Sequence, residues 1–89
     1  MMKTLIVNIK KDKYDVLIDR STIWGNPFII GKDGNRKQVI EKYRLYLINN
    51  PYLMSRIHEL KGLQLGCHCK TKECHGDVIV DILEGDYHL

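Results

Sequence analysis

The sequence lacks any apolar run near the roughly 20 residues that a bilayer-spanning helix requires. We also expect no secretory signal, because the apolar residues 5–7 are interrupted at once by Asn8. The chain has only three cysteines, an odd number, and all of them lie between Cys67 and Cys74, unlike a disulfide framework that joins distant loops. We therefore expect a cytoplasmic protein without a membrane partner, whose cysteines are reduced thiols or metal thiolates.

A strong excess of one charge is absent as well. The 14 basic and 11 acidic residues leave a formal net charge of +3, which permits a phosphate-bearing partner. Nucleic acid remains an alternative partner, although dedicated nucleic-acid binders cluster their basic residues more strongly. With 89 residues, 44% of them hydrophobic and 28% charged, the chain is typical of one folded domain with one modest core.

Three segments have the composition of β-strands. Residues 4–9 and 14–20 are rich in β-branched side chains and are separated by the polar residues 10–13, so we predict an antiparallel hairpin. Residues 63–69 alternate between apolar and polar side chains and predict a third short strand.

Helices are predicted between and after these strands. Asn35 is a suitable N-cap with Gln38 as its capping-box partner, and apolar residues then recur at helical spacing to about residue 49. Pro51 suits the first turn of a second helix, and Gly85 provides a stop for a third helix over residues 78–83. The fold class is α/β, a β-β-α-α-β-α domain of two or three layers with a short mixed sheet.

Two distant polar segments are expected to meet in this fold. If the second and third strands pair in parallel across the helical connection, their carboxyl ends share one sheet edge, where open α/β sheets bind ligands. Arg20 and a glycine- and proline-rich loop over residues 21–35 follow the second strand. The segment "CHCKTKECHGD", residues 67–77, follows the third.

The loop after the second strand has side chains suited to ligand binding. Arg20 can pair with a phosphate or carboxylate, Trp24 can stack on a base, and Gly25 and Asn26 can turn the backbone between them. In the alternative interpretation Trp24 packs in the core, as most large aromatic residues do.

The cysteine-histidine segment admits three interpretations. Cys67, Cys69, Cys74 and His75 have the ligand types and number of a Cys3His zinc site, although their spacing is poor for one tetrahedral ion. Alternatively, thiols and His75 form a reactive centre at a helix N-terminus, where the helix dipole lowers a thiol's pKa, with Cys69, Cys74, His75 and Asp77 as catalytic residues. In the third interpretation the cysteines are small buried apolar residues in a structural turn.

The motifs "WGNPF", "DGNR" and "CHCKTKECHGD", in this order, resemble an uncharacterised family of small domains from bacteria and their phages. The resemblance covers roughly residues 14–84 and implies a shared site without naming its chemistry. His68 stands where the family tends to place an aromatic residue.

The first functional hypothesis is a domain that binds a nucleotide or another phosphorylated, ring-bearing ligand between Arg20, Trp24 and Asn26 and the start of the last helix, with catalysis through a thiolate and His75 as an extension. The second is a zinc-stabilised module that binds nucleic acid or a protein. The third is a phage-encoded inhibitor that acts by binding alone.

Overall fold

The computed structural model describes residues 4–68 and 74–85. Its secondary-structure elements follow in the order β-β-α-α-β-α, which confirms the predicted α/β class. The elements are β1 (Leu5–Asn8), β2 (Val16–Leu17), α1 (Arg36–Ile48), α2 (Pro51–Arg56) with a 3-10 turn (Ile57–Leu60), β3 (Gln64–Cys67) and α3 (His75–Leu83). Among the described residues, none of the helices combines the length and apolar character of a membrane-spanning segment.

The sheet has the strand order β1-β3-β2, and both outer strands run parallel to β3. Leu5 lies opposite Gln64 at one end of the β1–β3 ladder, and Leu17 lies opposite Gly66 on the other side of β3. The predicted antiparallel hairpin of the first two strands is therefore wrong, and the described sheet is parallel rather than mixed. The parallel pairing of the second and third strands is confirmed.

The first two strands are not neighbours because the segment 9–15, which connects β1 to β2, crosses β3. The side chains of Ile9 and Tyr14 meet above Gly66, where a Cβ atom would lie 2.7 Å from Ile9 Cγ2 and 2.8 Å from Tyr14 Cγ. Only glycine at this position lets the connection pass so close to the central strand. Asp15 then binds the edge of β3 through hydrogen bonds with both backbone groups of Gln64, each 2.8 Å long.

The helix starts follow the expected capping chemistry. The Asn35 side chain accepts a hydrogen bond from the backbone N–H of Gln38, and the Gln38 side chain accepts one from the backbone N–H of Asn35, which completes the predicted capping box. Asn50 caps α2, with Pro51 at the first helical position.

The core lies between the sheet and the helices. Ile18 and Leu65 from the strand region, Tyr43 and Leu47 from α1, and Ile79 from α3 are all fully buried. The start of α3 sits directly on the sheet, since a Cβ atom at Gly76 would lie 2.7 Å from Ile6 Cδ1 and 2.8 Å from Ile18 Cδ1. This close approach brings the first turn of α3 to the carboxyl ends of the strands.

Candidate functional site

A cavity of about 300 Å³ opens where β2 and β3 end. It is formed by the residues after β2, the loop that follows, one side of α1, the end of β3 and the start of α3. Its lining residues are Asp19, Arg20, Asn26, Phe28, Ile30, Arg36, Val39, Ile40, Cys67, His68, Cys74 and His75. The expected juxtaposition of the Arg20 loop with the cysteine-histidine segment is therefore confirmed, while the roles of the individual residues stay predictions.

Arg20 is held at the cavity by backbone carbonyl groups of its own loop. Its Nε donates to the Asn26 carbonyl at 3.0 Å, and its Nη2 donates to the Phe28 carbonyl at 3.2 Å. A guanidinium has five N–H donors, so three remain without a partner among the residues that the structure describes. These donors are available to an anion in the cavity.

Asn26 shapes the loop rather than presenting a free amide. Its Oδ1 accepts from the backbone N–H of Phe28 at 3.0 Å, and its Nδ2 donates to the Val39 carbonyl at 3.2 Å. The side chain thus ties the loop to α1, and it lines the cavity as part of the wall.

Trp24 and Gly25 have structural positions. Trp24 is only 5% exposed and does not line the cavity, and its carbonyl accepts a 2.8 Å hydrogen bond from the Tyr43 hydroxyl. A Cβ atom at Gly25 would lie 2.5 Å from Arg20 Cα and 2.6 Å from the Arg20 backbone nitrogen. The predicted stacking of Trp24 on a ligand therefore finds no support here, and Gly25 acts through close backbone packing.

Cys67 and Cys74 form a buried pair of thiols at the cavity wall. Cys67 is the last residue of β3, Cys74 is the N-cap of α3, and Cys67 Sγ donates to Cys74 Sγ at 3.2 Å. The backbone N–H of Gly76 donates to Cys74 Sγ at 3.3 Å. The hydrogen bond with Cys67, together with burial, raises the pKa of the Cys74 thiol.

The expectation of an activated thiolate stays a prediction, and the raised pKa of Cys74 gives it no support. A helix N-terminus lowers a thiol pKa on its own, but the neighbouring thiol and the loss of solvent outweigh that effect at Cys74. A buried thiol with a raised pKa is a poor nucleophile at neutral pH unless a metal ion displaces its proton.

His75 is oriented by two contacts. Its Nε2 lies 2.5 Å from the Ile18 carbonyl oxygen, which can only accept, so Nε2 carries the proton. The ring meets the Tyr43 ring edge to face, with centroids 5.0 Å apart. Burial lowers the pKa of His75, so the imidazole is neutral at pH 7 and its Nδ1 has a lone pair.

Asp77 has a capping role instead of a position in the cavity. Its Oδ2 accepts from the backbone N–H of Cys74 at 3.1 Å, which completes the capping box of α3, and Asp77 is absent from the cavity lining. The predicted catalytic role of Asp77 therefore finds no support. Cys69, predicted as a catalytic residue or metal ligand, lies outside the described residues.

Asp19 and His68 form a polar pair at the rim. His68 Nε2 lies 3.1 Å from Asp19 Oδ2, while Asp19 Oδ1 accepts from the backbone N–H of Ser21 at 2.9 Å and also from the Ser21 hydroxyl. The hydrogen bonds from Ser21, with a further contribution from His68, lower the pKa of Asp19 from 3.8 to about 2. The carboxylate is thus ionised at every physiological pH.

Sequence reasoning did not include Arg36 among the site residues, nor the apolar wall of Phe28, Ile30, Val39 and Ile40. Arg36 is the first residue of α1, directly after the capping residue Asn35. Its position in the "DGNR" motif was the available signal, but only the packing of α1 beside the loop shows which way that helix start faces.

Fold and site together define a small α/β domain with a cysteine-histidine pocket at the ends of its parallel strands. The chain belongs to the family described as Domain of unknown function (DUF4326), whose profile matches residues 7–85. It is 40% identical over 83 residues to the uncharacterized 12.4 kDa protein in the nrdA-td intergenic region of Enterobacteria phage T4. That match covers 88% of this chain and 75% of the phage protein. No solved structure matches the chain.

Proposed function

We propose that this domain binds an anionic small molecule with a ring or another apolar part, such as a mononucleotide, in the cavity at the ends of β2 and β3. The observation that carries the proposal is the presence of two guanidinium groups, Arg20 and Arg36, in one cavity with an apolar wall. Arginine pairs readily with phosphate and carboxylate because its planar donors match their geometry.

The charge and shape of the cavity support this ligand class. Among the described lining residues, the arginines Arg20 and Arg36 outnumber the one carboxylate, Asp19, which favours a negative ligand. Phe28, rather than Trp24, lines the cavity. Its ring also packs edge to face against the Tyr46 ring, with the ring centroids 6.2 Å apart. A cavity of about 300 Å³ is at the lower end of the size range of small-molecule sites, which fits a mononucleotide or sugar phosphate better than a dinucleotide.

The proposal is for binding and does not include catalysis by a cysteine thiolate. Cys74 is buried with a raised pKa, and the two neighbouring groups that could act as a base are engaged elsewhere, Asp77 with the backbone N–H of Cys74 and His75 Nε2 with the Ile18 carbonyl. Binding of a phosphorylated ligand needs only the charge and shape of the cavity.

Calorimetric titration with AMP, ribose 5-phosphate, inorganic phosphate and adenosine tests the proposal. We expect AMP or ribose 5-phosphate to bind and adenosine to bind at least tenfold more weakly, because adenosine lacks the group that the arginines recognise. Arg36→Ala should weaken binding roughly 10- to 100-fold, since a hydrogen bond to a charged group contributes about 1.5–3 kcal/mol.

Arg56→Ala is the matched control. Arg56 ends α2, pairs with Tyr52 of the same helix and with Glu59 of the following 3-10 turn, and does not line the cavity. Its removal should therefore leave the affinity unchanged. Equal affinity for AMP and adenosine, or equal losses in the Arg36 and Arg56 variants, would refute anion recognition in this cavity. Absence of binding by all four probes would refute the ligand class.

A further inference from the structure

Three potential metal ligands share the inner wall of the cavity. Cys67 Sγ, Cys74 Sγ and one ring nitrogen of His75 all lie within 4.8 Å of one another. All three residues also line the cavity. A divalent ion among them would therefore face the space that the proposed ligand occupies.

We propose that Cys67, Cys74 and His75 bind one Zn²⁺ ion, with His75 coordinating through Nδ1. Among the residues that the structure describes, these three form the whole ligand group, and we place an open fourth coordination position on the side of the cavity. Two thiolates and one imidazole suit zinc, and three protein ligands with one open position are typical of reactive zinc sites rather than structural ones.

The distance between the two sulfur atoms is close to the value that this coordination requires. With Zn–S bonds of about 2.3 Å and Zn–N bonds of about 2.0–2.1 Å, a tetrahedral ion places its ligand atoms about 3.6–3.8 Å apart. The two sulfur atoms lie 3.2 Å apart and need to separate by only about half an ångström to reach that spacing. Both are anchored on regular structure, Cys67 at the end of β3 and Cys74 at the start of α3.

The hydrogen bonds of His75 and Cys74 suit a metal site. Metal-bound histidines usually donate their second ring nitrogen to a carbonyl or carboxylate, and His75 Nε2 is placed against the Ile18 carbonyl in this way, which leaves Nδ1 for the ion. The Gly76 N–H donates to Cys74 Sγ and would stabilise a thiolate there. On binding, Zn²⁺ replaces the two thiol protons, which pass to solvent, and the neutral imidazole loses none.

Zinc content and cobalt spectroscopy of the purified chain test the site without any organic ligand, so the result is independent of the proposed function. We expect one Zn²⁺ per chain after reconstitution under reducing conditions. The Co²⁺-substituted protein should have the visible bands of a tetrahedral ion and a thiolate charge-transfer band whose intensity corresponds to two sulfurs. Azide should shift the visible bands, because it can occupy the open position.

Two ligand variants are each compared with a matched control variant. His75→Ala should weaken zinc binding at least 100-fold, whereas His68→Ala, a neighbouring histidine that pairs with Asp19, should leave it unchanged. Cys67→Ser should remove about half of the charge-transfer intensity. Its control, Cys69→Ser, should retain the full intensity. If a variant fails to fold, the spectrum of the wild-type protein still gives the number of sulfur ligands and the effect of azide.

A charge-transfer band for three thiolates, or its loss in Cys69→Ser, would overturn the open position and indicate a closed four-ligand site. An unchanged spectrum on adding azide would overturn it as well. Less than about half a zinc ion per chain after reconstitution, or equal zinc affinity in the His75 and His68 variants, would overturn the site itself.

Discussion

Gly25 gives a direct test of how the loop after β2 is built. Its missing side chain allows the loop backbone to rest on the backbone of Asp19 and Arg20, where a Cβ atom would lie 2.5 Å from Arg20 Cα. Ordinary contacts of this kind begin near 3.4 Å, so Gly25→Ala creates an overlap of about 1 Å with main-chain atoms that cannot rotate away. We expect a cost of about 3 kcal/mol, the upper end of the range for overpacked sites.

The measurement is thermal and urea unfolding followed by circular dichroism. For a domain of this size, about 3 kcal/mol corresponds to a fall in Tm of roughly 12–24 °C. Gly31→Ala is the control, because Gly31 has φ +92° but a Cβ atom there would have no neighbour within 4 Å, so the substitution has only a conformational cost of about 1–2 kcal/mol. A Gly25→Ala protein within about 1 kcal/mol of wild type, or no less stable than Gly31→Ala, would refute the close packing.

Three further predictions concern single side chains. Tyr43→Phe should destabilise the fold by about 1–3 kcal/mol in urea unfolding, because it leaves the Trp24 carbonyl without its donor; an unchanged stability would mean that water replaces the hydroxyl. Asp77→Ala should cost about 0.5–2 kcal/mol through loss of the α3 capping box, whereas Asp77→Asn should retain part of it; equal losses would contradict the capping role. Because the pKa of Asp19 is lowered from 3.8 to about 2, its stabilising effect is complete above about pH 4 and is lost as the pH falls towards 2. Asp19→Asn should therefore reduce the change in unfolding free energy measured between about pH 5 and 2. Parallel curves for the two proteins would contradict this.

Local chemistry made much of this fold predictable from sequence. The capping box of Asn35 and Gln38 and the position of Pro51 depend only on neighbours in the chain, and both are found as expected. The meeting of the Arg20 loop with the cysteine-histidine segment followed from one topological rule, the shared edge of parallel strand ends. That rule needed only the β2–β3 pairing, which the structure has.

Features that depend on long-range packing were not predictable in this way. The polar residues between the first two strands are typical of a hairpin turn. Nothing in the local sequence shows that β3 lies between those strands. Gly66, the residue that admits the crossover, resembles any other position in an alternating strand. Likewise, the sequence predicted poor spacing for one tetrahedral ion from Cys67, Cys69, Cys74 and His75 together. It does not show that a strand end and a helix cap bring the sulfurs of Cys67 and Cys74 to 3.2 Å.

The loop after β2 and the cysteine-histidine segment are joined by a continuous series of contacts. The Trp24 carbonyl binds the Tyr43 hydroxyl, the Tyr43 ring packs against the His75 ring, and His75 binds the Ile18 carbonyl. Ile18 directly precedes Asp19 and Arg20, on whose backbone Gly25 rests. The series therefore returns to the loop in which it began. Because each contact fixes the next, a change in the buried part of the loop should displace His75 and Arg20 together, and Trp24 would influence the site through position even though its ring does not line the cavity.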